Sequence, residues 1–335
     1  MNYNGVKVLI TGADGFIGSH LTEELVRQGA DVRALVQYDS FGGNGWLDDI
    51  DEHLRSSVDI RRGDVRDAGF IDRIAEGREI IFHLAALIAI PYSYDAPQSY
   101  VDVNVSGTLN ILKAARQYNV SRVVHTSTSE VYGTAQFSPI SEAHPLVAQS
   151  PYSASKIGAD MMATAFARSF DLPTVILRPF NTYGPRQSER AVLPTVIRQA
   201  LDPDCKTILI GDVSPVRDFN YVRDIAAAFA FAGGSSELSF GVPYNAGSGS
   251  SVTVGEAIEL IRELCGTNKA VETDQTRYRP QNSEVFELLA DANAFSQATG
   301  WTSSITLRDG LNRTIDWWRT QIARGELRRD HGNLL

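Results

Sequence analysis

Gly12-x-x-Gly15-x-x-Gly18 constrains the fold of this chain more than any other feature. It separates a short apolar run, Val6–Thr11, from Phe16–Gln28, whose apolar residues recur at helical spacing and stop at Gly29. The first reads as a buried parallel strand and the second as a helix ending at a C-cap glycine. Glycines at that junction let the backbone turn sharply and approach a pyrophosphate, whose charge the helix N-terminus stabilises. Glycines also mark plain turns. The position after the first strand of an alternating series is what makes this pattern specific.

The alternation continues. Strands are expected at Val32–Val36, Val58–Arg62, Ile80–Leu84, Arg122–Ser127 and Thr174–Leu177, with a helix over Asp67–Ala75. Val101–Tyr118 and Tyr152–Phe170 are the two longest helical patterns. Such a series predicts an α/β fold: a doubly wound parallel Rossmann sheet with a smaller C-terminal α/β substrate lobe. After Pro179, loops rich in Pro, Gly and Arg take over (Asn181–Arg190, Gly211–Arg217, Arg277–Ser283), with shorter helices such as Val254–Leu264. The expected division is residues 1–180 for the dinucleotide-binding domain, a returning segment near 218–247 with a strand at Tyr244–Ala246, a lobe over 181–325, and a charged tail over 326–335.

Length and composition exclude several classes. At 335 residues the chain can hold such a domain and a second lobe. No apolar run approaches the roughly 18–20 residues of a membrane span, and Met1–Gly5 has no basic leader, so a cytoplasmic protein without a membrane partner is expected. A net charge of −9 argues against a nucleic-acid partner. Cys205 and Cys265 are too few and too far apart for a metal site or disulfide framework, and read as buried thiols in a reducing compartment.

Two motifs carry the chemistry. Tyr152 and Lys156, in Tyr-Ser-Ala-Ser-Lys, stand one helical turn apart and project from one face. An ammonium beside a phenol lowers the phenol pKa from about 10, so that it can take a proton from a hydroxyl. Taken alone the pair is also a common surface arrangement; beside the glycine turn and a strand ending in Thr126-Ser127-Thr128 it is specific. Thr128-Ser129-Glu130 is the second motif. Two residues apart on a strand, Thr128 and Glu130 are expected to point to the same side. One standard feature is missing: the acid that ends the second strand and holds the ribose of NAD is replaced by Val36, with Gln37 and Tyr38 following.

With these residues the chain resembles the extended short-chain dehydrogenase/reductase family, the sugar-nucleotide epimerases and dehydratases. The resemblance runs from about Val6 to Trp301 and includes Asn104, Arg178-Pro-Phe-Asn181-Thr-Tyr183-Gly-Pro185-Arg186, Arg217-Asp218 and Arg279-Pro280. It implies NAD as cofactor, with NADP open, held by Gly12, Asp14, Gly15, Phe16, Ile17, Gly18, Gln37, Asp64, Val65, Leu84, Ala85, Ala86, Asn104, Thr126, Tyr152, Lys156 and Pro179. Asp64 reads equally as a helix cap. Thr128 would bond the sugar hydroxyl, Tyr152 would be the base and Lys156 would bind the cofactor ribose. Ser93 would lie near the sugar, and Asn181, Arg190, Arg217 and Arg279 would hold the substrate, arginines suiting a diphosphate. The partners implied are a nucleotide-diphosphate sugar and a second copy, paired through a four-helix bundle of Val101–Tyr118 and Tyr152–Phe170, whose apolar residues include Ile111, Leu112, Met161, Met162 and Phe166.

Glu130 selects the branch. A 4-epimerase oxidises, lets the ketone rotate and reduces, without needing a carboxylate there. Once carbon 4 is a ketone, the carbon 5 hydrogen is acidic, and Glu130 would remove it while the carbon 6 hydroxyl leaves. The expectation is therefore a 4,6-dehydratase, with Ser129 where many relatives carry Asp. Stretches around Phe41–Asp48, Gly184–Val192 and Arg279–Val285 resemble dehydratases of nucleotide-linked N-acetylglucosamine from legionaminic-acid-type pathways. A UDP-glucuronate decarboxylase and an NDP-sugar 4-epimerase are the alternatives. A non-catalytic dinucleotide sensor would keep the glycines without needing Thr128, Glu130, Tyr152 and Lys156 together.

Overall fold

The computed structural model describes residues 2–278, 280 and 283–325. Seven parallel strands form the main sheet: β1 (Lys7–Thr11), β2 (Asp31–Gln37), β3 (Asp59–Gly63), β4 (Ile80–His83), β5 (Arg122–Thr126), β6 (Thr174–Pro179) and β7 (Pro243–Ala246). Their order across the sheet is β7-β6-β5-β4-β1-β2-β3, so the chain winds outward from β1 in one direction and then from β4 in the other. The C-terminal ends of β1 and β4 meet at that reversal, where doubly wound sheets bind their ligands.

Helices cover both faces. On one, Leu21 and Leu25 of α1 (Phe16–Arg27) and Ile225 and Phe229 of a later helix (Val222–Gly234) share a core with Val8, Ile10 and Phe82. On the other, α2 (Ala68–Ala75), α3 (Gly107–Gln117) and α4 (Pro151–Phe170) pack on Leu9, Ile81 and Val123 through Ile71, Ile111, Leu112 and Ala163. Apolar residues on both sides explain why β1 and β4 read as unbroken hydrophobic runs. α4 begins where Ser150 and Ser153 form a capping box with Pro151 at the first position, and ends at Asp171 in the left-handed region (φ 53°).

The second core gathers Leu193, Val196 and Ile197 of α5 (Val192–Leu201), Ala257, Ile258 and Ile261 of α7 (Val254–Cys265), and Leu311, Ile315 and Trp318 of α8 (Leu307–Ala323). Val222–Gly234 is α6. β7 lies parallel to β6, with Tyr244 beside Leu177, so the chain does return to the main sheet after Pro179.

Three expectations need correction. Val101–Tyr118 is not one α-helix: Val101–Ser106 is a π-helical turn that leads into α3. Ile111 and Leu112 are fully buried in the monomer core, so they form no surface for a second copy. Met161 is nearly half exposed, whereas Met162 and Phe166 pack partly on that core. Cys205 and Cys265 are free and half-buried rather than buried. The expected tail, 326–335, lies outside the described residues, among which no helix is long and apolar enough to cross a membrane.

Candidate active site

The glycine turn is built for close approach. A Cβ on Gly12 (φ +68°) would stand 2.7 Å from the Ala85 nitrogen, and one on Gly18 would stand 2.0 Å from the Gly12 carbonyl oxygen. Gly15 caps α1 with no side chain, which leaves the backbone N–H groups of Phe16, Ile17 and Gly18 at the helix start. A cradle open on the side of a helix N-terminus and closed by backbone on the other fits the pyrophosphate of a dinucleotide. Leu84, Ala85 and Ala86 continue from β4 beside it, and the Ala85 N–H donates to Thr11 Oγ1 at 3.1 Å. His83 Nδ1 lies 2.8 Å from the same oxygen and its Nε2 3.0 Å from Thr108 Oγ1, a fully buried ring that burial holds well below its ordinary pKa.

The other expected cofactor residues sit around this turn in different roles. Asn104 donates to the Leu87 carbonyl (3.0 Å) and to Ser155 Oγ (2.9 Å) and accepts from the Leu87 N–H (2.8 Å), so it fixes the 84–87 loop against α4. Val65 packs under Gly107, where a Cβ would stand 2.8 Å from its methyl group. Asp64 accepts from the Arg66 N–H at 2.8 Å and from its guanidinium, which lowers the carboxyl pKa, while Asp67 caps α2. Gln37 ends β2 exposed, and Pro179 ends β6 opposite Ala246.

Tyr152 and Lys156 are both buried on α4. Lys156 Nζ donates to the Thr126 carbonyl oxygen at the end of β5, and burial lowers its pKa to about 8 against the raising charge of Asp160. The Tyr152 phenol is hydrogen-bonded to Thr128, which lowers its pKa. Burial is the larger influence and, with the negative charge of Glu130, moves the phenol upward. The expected lowering of Tyr152 is therefore reversed in the protein itself: desolvation outweighs the neighbouring hydrogen bond.

Thr128 and Glu130 do meet Tyr152, though by another geometry than a strand. β5 stops at Thr126, and Ser129–Tyr132 is a 3-10 turn capped by Thr128, whose Oγ1 accepts the Glu130 N–H at 3.2 Å. A threonine hydroxyl can cap the next turn and still donate to a phenol, so the period-two reading failed while the juxtaposition held. Ser129 is buried.

Of the expected substrate residues, Ser93 is fully buried and donates back to the Ile90 carbonyl at 2.6 Å. Asn181 Oδ1 is buried without a hydrogen-bond partner among the described residues. Burial, with Tyr92 beside it, raises the Tyr100 phenol to about 12 against the lowering charge of nearby Arg190. Arg217 pairs with Glu284 at 3.1 Å. Arg279 lies outside the described residues. The loop of Pro185 and Arg186 is pinned to α1 by a buried pair, Arg186 Nη2 to Glu23 Oε1 at 3.2 Å.

Several neighbours were not foreseen. Tyr100 stands edge-on to Tyr152 at 6.2 Å between ring centroids, with Ile90 in the same apolar cluster. Tyr94 is hydrogen-bonded to Ser283, which joins the wall of the site to the second lobe. The paired tyrosines in Tyr92-Ser93-Tyr94 were the available signal. Asp160 and Glu284 gave none, because their partners are distant in sequence.

The chain is similar to both nucleotide-sugar 4,6-dehydratases and 4-epimerases. The model of the GDP-mannose 4,6 dehydratase family matches residues 9–314. A dTDP-glucose 4,6-dehydratase of Actinoplanes sp. is 31% identical over 322 residues, covering 94% of this chain and 98% of that protein. The dTDP-glucose 4,6-dehydratase DesIV of Streptomyces venezuelae, solved as a double mutant with NAD bound, has a TM-score of 0.84 at 30% identity, covering 95% of this chain and 98% of that one. A UDP-N-acetylglucosamine 4-epimerase from Methanobrevibacter ruminantium has a TM-score of 0.86 at 28% identity, covering 95% and 99%.

Proposed function

Since the chain belongs to the GDP-mannose 4,6 dehydratase family, we propose that it is an NAD-dependent nucleotide-sugar 4,6-dehydratase, a lyase that makes a 4-keto-6-deoxy sugar. NAD, when bound, supplies the acceptor for the carbon 4 hydride and later its donor. Thr128 orients the sugar hydroxyl and passes its hydrogen bond to Tyr152, which takes the proton. Lys156, held at the Thr126 carbonyl, brings positive charge and a donor to the cofactor ribose. Glu130 takes the carbon 5 proton as the carbon 6 hydroxyl leaves, and that proton departs with the hydroxyl as water. Asn181, Arg217 and Arg279 bind the nucleotide diphosphate, Arg190 also binds the substrate, and Ser93 lies near the sugar.

The observation that carries this reading is the carboxylate of Glu130, held close enough to the Thr128–Tyr152 pair for its charge to raise the phenol pKa. Oxidation and reduction alone give a base at that place no task. The stretches at Phe41–Asp48 and Gly184–Val192 favour an N-acetylglucosamine nucleotide as substrate. A 4-epimerase is the second reading, supported by the likeness to the archaeal epimerase. Residues 1–180 with the 218–247 return would seat the cofactor, and the rest of 181–325 the substrate. Two free thiols suit a cytoplasmic location. The protein works as a homodimer through α4, α3 and the π-helical turn that leads into α3, where Met161 of α4 and Val101 of that turn are nearly half exposed.

Incubation with a panel of nucleotide sugars and mass measurement of the products tests the assignment. Loss of one water supports it. Loss of carbon dioxide identifies a decarboxylase, and an isomer of unchanged mass identifies an epimerase.

A further inference from the structure

The acid that normally ends the second strand of a dinucleotide-binding sheet accepts the hydroxyls of the adenosine ribose. Here that strand ends in Val36-Gln37, yet a carboxylate still stands at its end. It comes from the glycine turn: Asp14 Oδ2 accepts the Gln37 backbone N–H at 3.2 Å. The Asp14 carbonyl in turn accepts the Trp46 N–H at 3.0 Å, which folds the 41–46 loop onto the turn. Gly45 (φ +56°) permits this, since a Cβ there would stand 2.6 Å from the Asp14 carbonyl oxygen. Asp14 is thus held by its side chain at the end of β2 and by its backbone carbonyl at the loop that follows β2.

The cation in register on the adjoining strand is engaged by carbonyls of the loop that follows β2. Arg62 lies in register with Val36 on β3, and its Nη2 donates to the Gly42 carbonyl at 2.9 Å, with Nε 3.5 Å from the Gly43 carbonyl. Arg33 and Arg61 are paired with Asp59 at 2.8 and 2.7 Å. A 2′-phosphate placed at the end of β2 would therefore meet the Asp14 carboxylate, while the Arg62 guanidinium is already engaged by two loop carbonyls.

We propose that Asp14 takes the place of the missing β2 acid: it accepts the ribose hydroxyls of NAD and repels the 2′-phosphate of NADP, so it sets the cofactor preference of this protein. A carboxylate has about four acceptor positions, enough to serve Gln37 and a pair of hydroxyls. Burial raises the Asp14 carboxyl pKa while two backbone N–H groups lower it, as suits a partly desolvated acceptor. The inference concerns the cofactor alone and holds for any of the sugar chemistries considered above.

The test is binding, read without turnover. After removal of any co-purified cofactor, the whole protein is titrated by calorimetry with NAD and, separately, with NADP. The wild type is expected to prefer NAD, and Asp14→Asn, which keeps the shape and the acceptor for Gln37, is expected to narrow the NAD/NADP ratio about tenfold or more, as fits the loss of hydrogen bonds to a charged group. Arg62→Gln is expected to leave the ratio unchanged. Asp14→Ser provides a second uncharged side chain should Asn disturb the turn, with circular dichroism reporting folding for each. A folded Asp14 variant with an unchanged ratio overturns the proposal, as does a wild type that prefers NADP or an Arg62→Gln protein that selectively loses NADP.

Discussion

Asp160 Oδ2 lies 2.9 Å from Arg178 Nη2, a pair in which neither side chain is more than 3% exposed. Asp160 is one helical turn beyond Lys156 on α4, and Arg178 is on β6. The same carboxylate accepts from Ser127 Oγ at 2.7 Å, and its other oxygen is 3.2 Å from His125 Nε2. Arg178 also donates to the Tyr132 hydroxyl at 3.0 Å and lies over that ring. One buried charge thereby ties the helix of Tyr152 and Lys156 to the strand that leads into Thr128.

Removing that charge leaves the Arg178 guanidinium buried without its counter-ion. Asp160→Asn is therefore expected to lower stability by about 3–5 kcal/mol in urea denaturation near pH 7. The effect depends on pH. Contacts with His125, Arg178 and Ser127 outweigh burial and hold the Asp160 carboxyl below 3.8 in the folded protein. Its stabilisation is present above the unfolded value and lost as pH falls through the folded one. The gap between wild type and variant should shrink below about pH 4; a gap that stays constant down to pH 3 would contradict this account.

The elements that sequence displayed best are those set by local rules. Val6–Thr11, the glycine turn and the capped starts of helices have short-range signals, and they lie where periodicity places them. Tyr152 and Lys156 share a helix face for the same reason. The turn at Ser129–Tyr132 was hidden, because a threonine that caps looks like any residue of a strand. Ile111 and Leu112 were apolar at helical spacing, and spacing does not say whether the sheet or a second copy covers them. The sign of the Tyr152 shift depends on burial, which arises only when Tyr100 and Ile90 pack around it. Pairs such as Arg217–Glu284 join residues far apart along the chain, so no local pattern announces them.

Gly18→Ala should destroy cofactor binding. The new Cβ would lie 2.0 Å from the Gly12 carbonyl oxygen, a backbone atom that can move only by opening the turn. Overpacking of this kind costs about 1–3 kcal/mol, which a domain of this size survives folded. Gly15→Ala meets only the Gly12 oxygen, at 3.2 Å, and should bind NAD more weakly without losing it. Calorimetric titration with NAD, beside a thermal melt, separates the two. Equal binding by Gly18→Ala and wild type would remove the turn from the cofactor site.

A homodimer through α4, α3 and the π-helical turn before α3 has to use what those elements leave exposed. Met161 is 47% and Val101 46% exposed, and the Phe170 ring beyond them carries the Arg116 guanidinium 3.8 Å from its centroid. Asp at 161 or 101 would bury an unpaired charge in such an interface. Met161→Asp and Val101→Asp are each expected to convert the dimer to a folded monomer in light scattering. A wild-type protein that is monomeric at micromolar concentration would dispose of the interface altogether.

Tyr152 and Glu130 act at different stages and should fail differently. Tyr152→Phe keeps the ring against Tyr100 but removes the proton acceptor that Thr128 serves, so the first oxidation should be lost. Glu130→Gln keeps shape and hydrogen bonding and removes only the base, a change that typically costs about 10²–10⁴-fold in the step it serves. Oxidation at carbon 4 would still occur. Mixed with its nucleotide sugar, the Glu130→Gln protein should accumulate reduced cofactor, visible in the near-ultraviolet, while solvent deuterium fails to enter carbon 5. The negative charge of Glu130 is also among the influences that raise the Tyr152 phenol, so its loss should move the pH dependence of that oxidation to lower values. Near wild-type formation of the 4-keto-6-deoxy product by Glu130→Gln would take Glu130 out of the mechanism, and a 4-epimerase would then be the better account of this site.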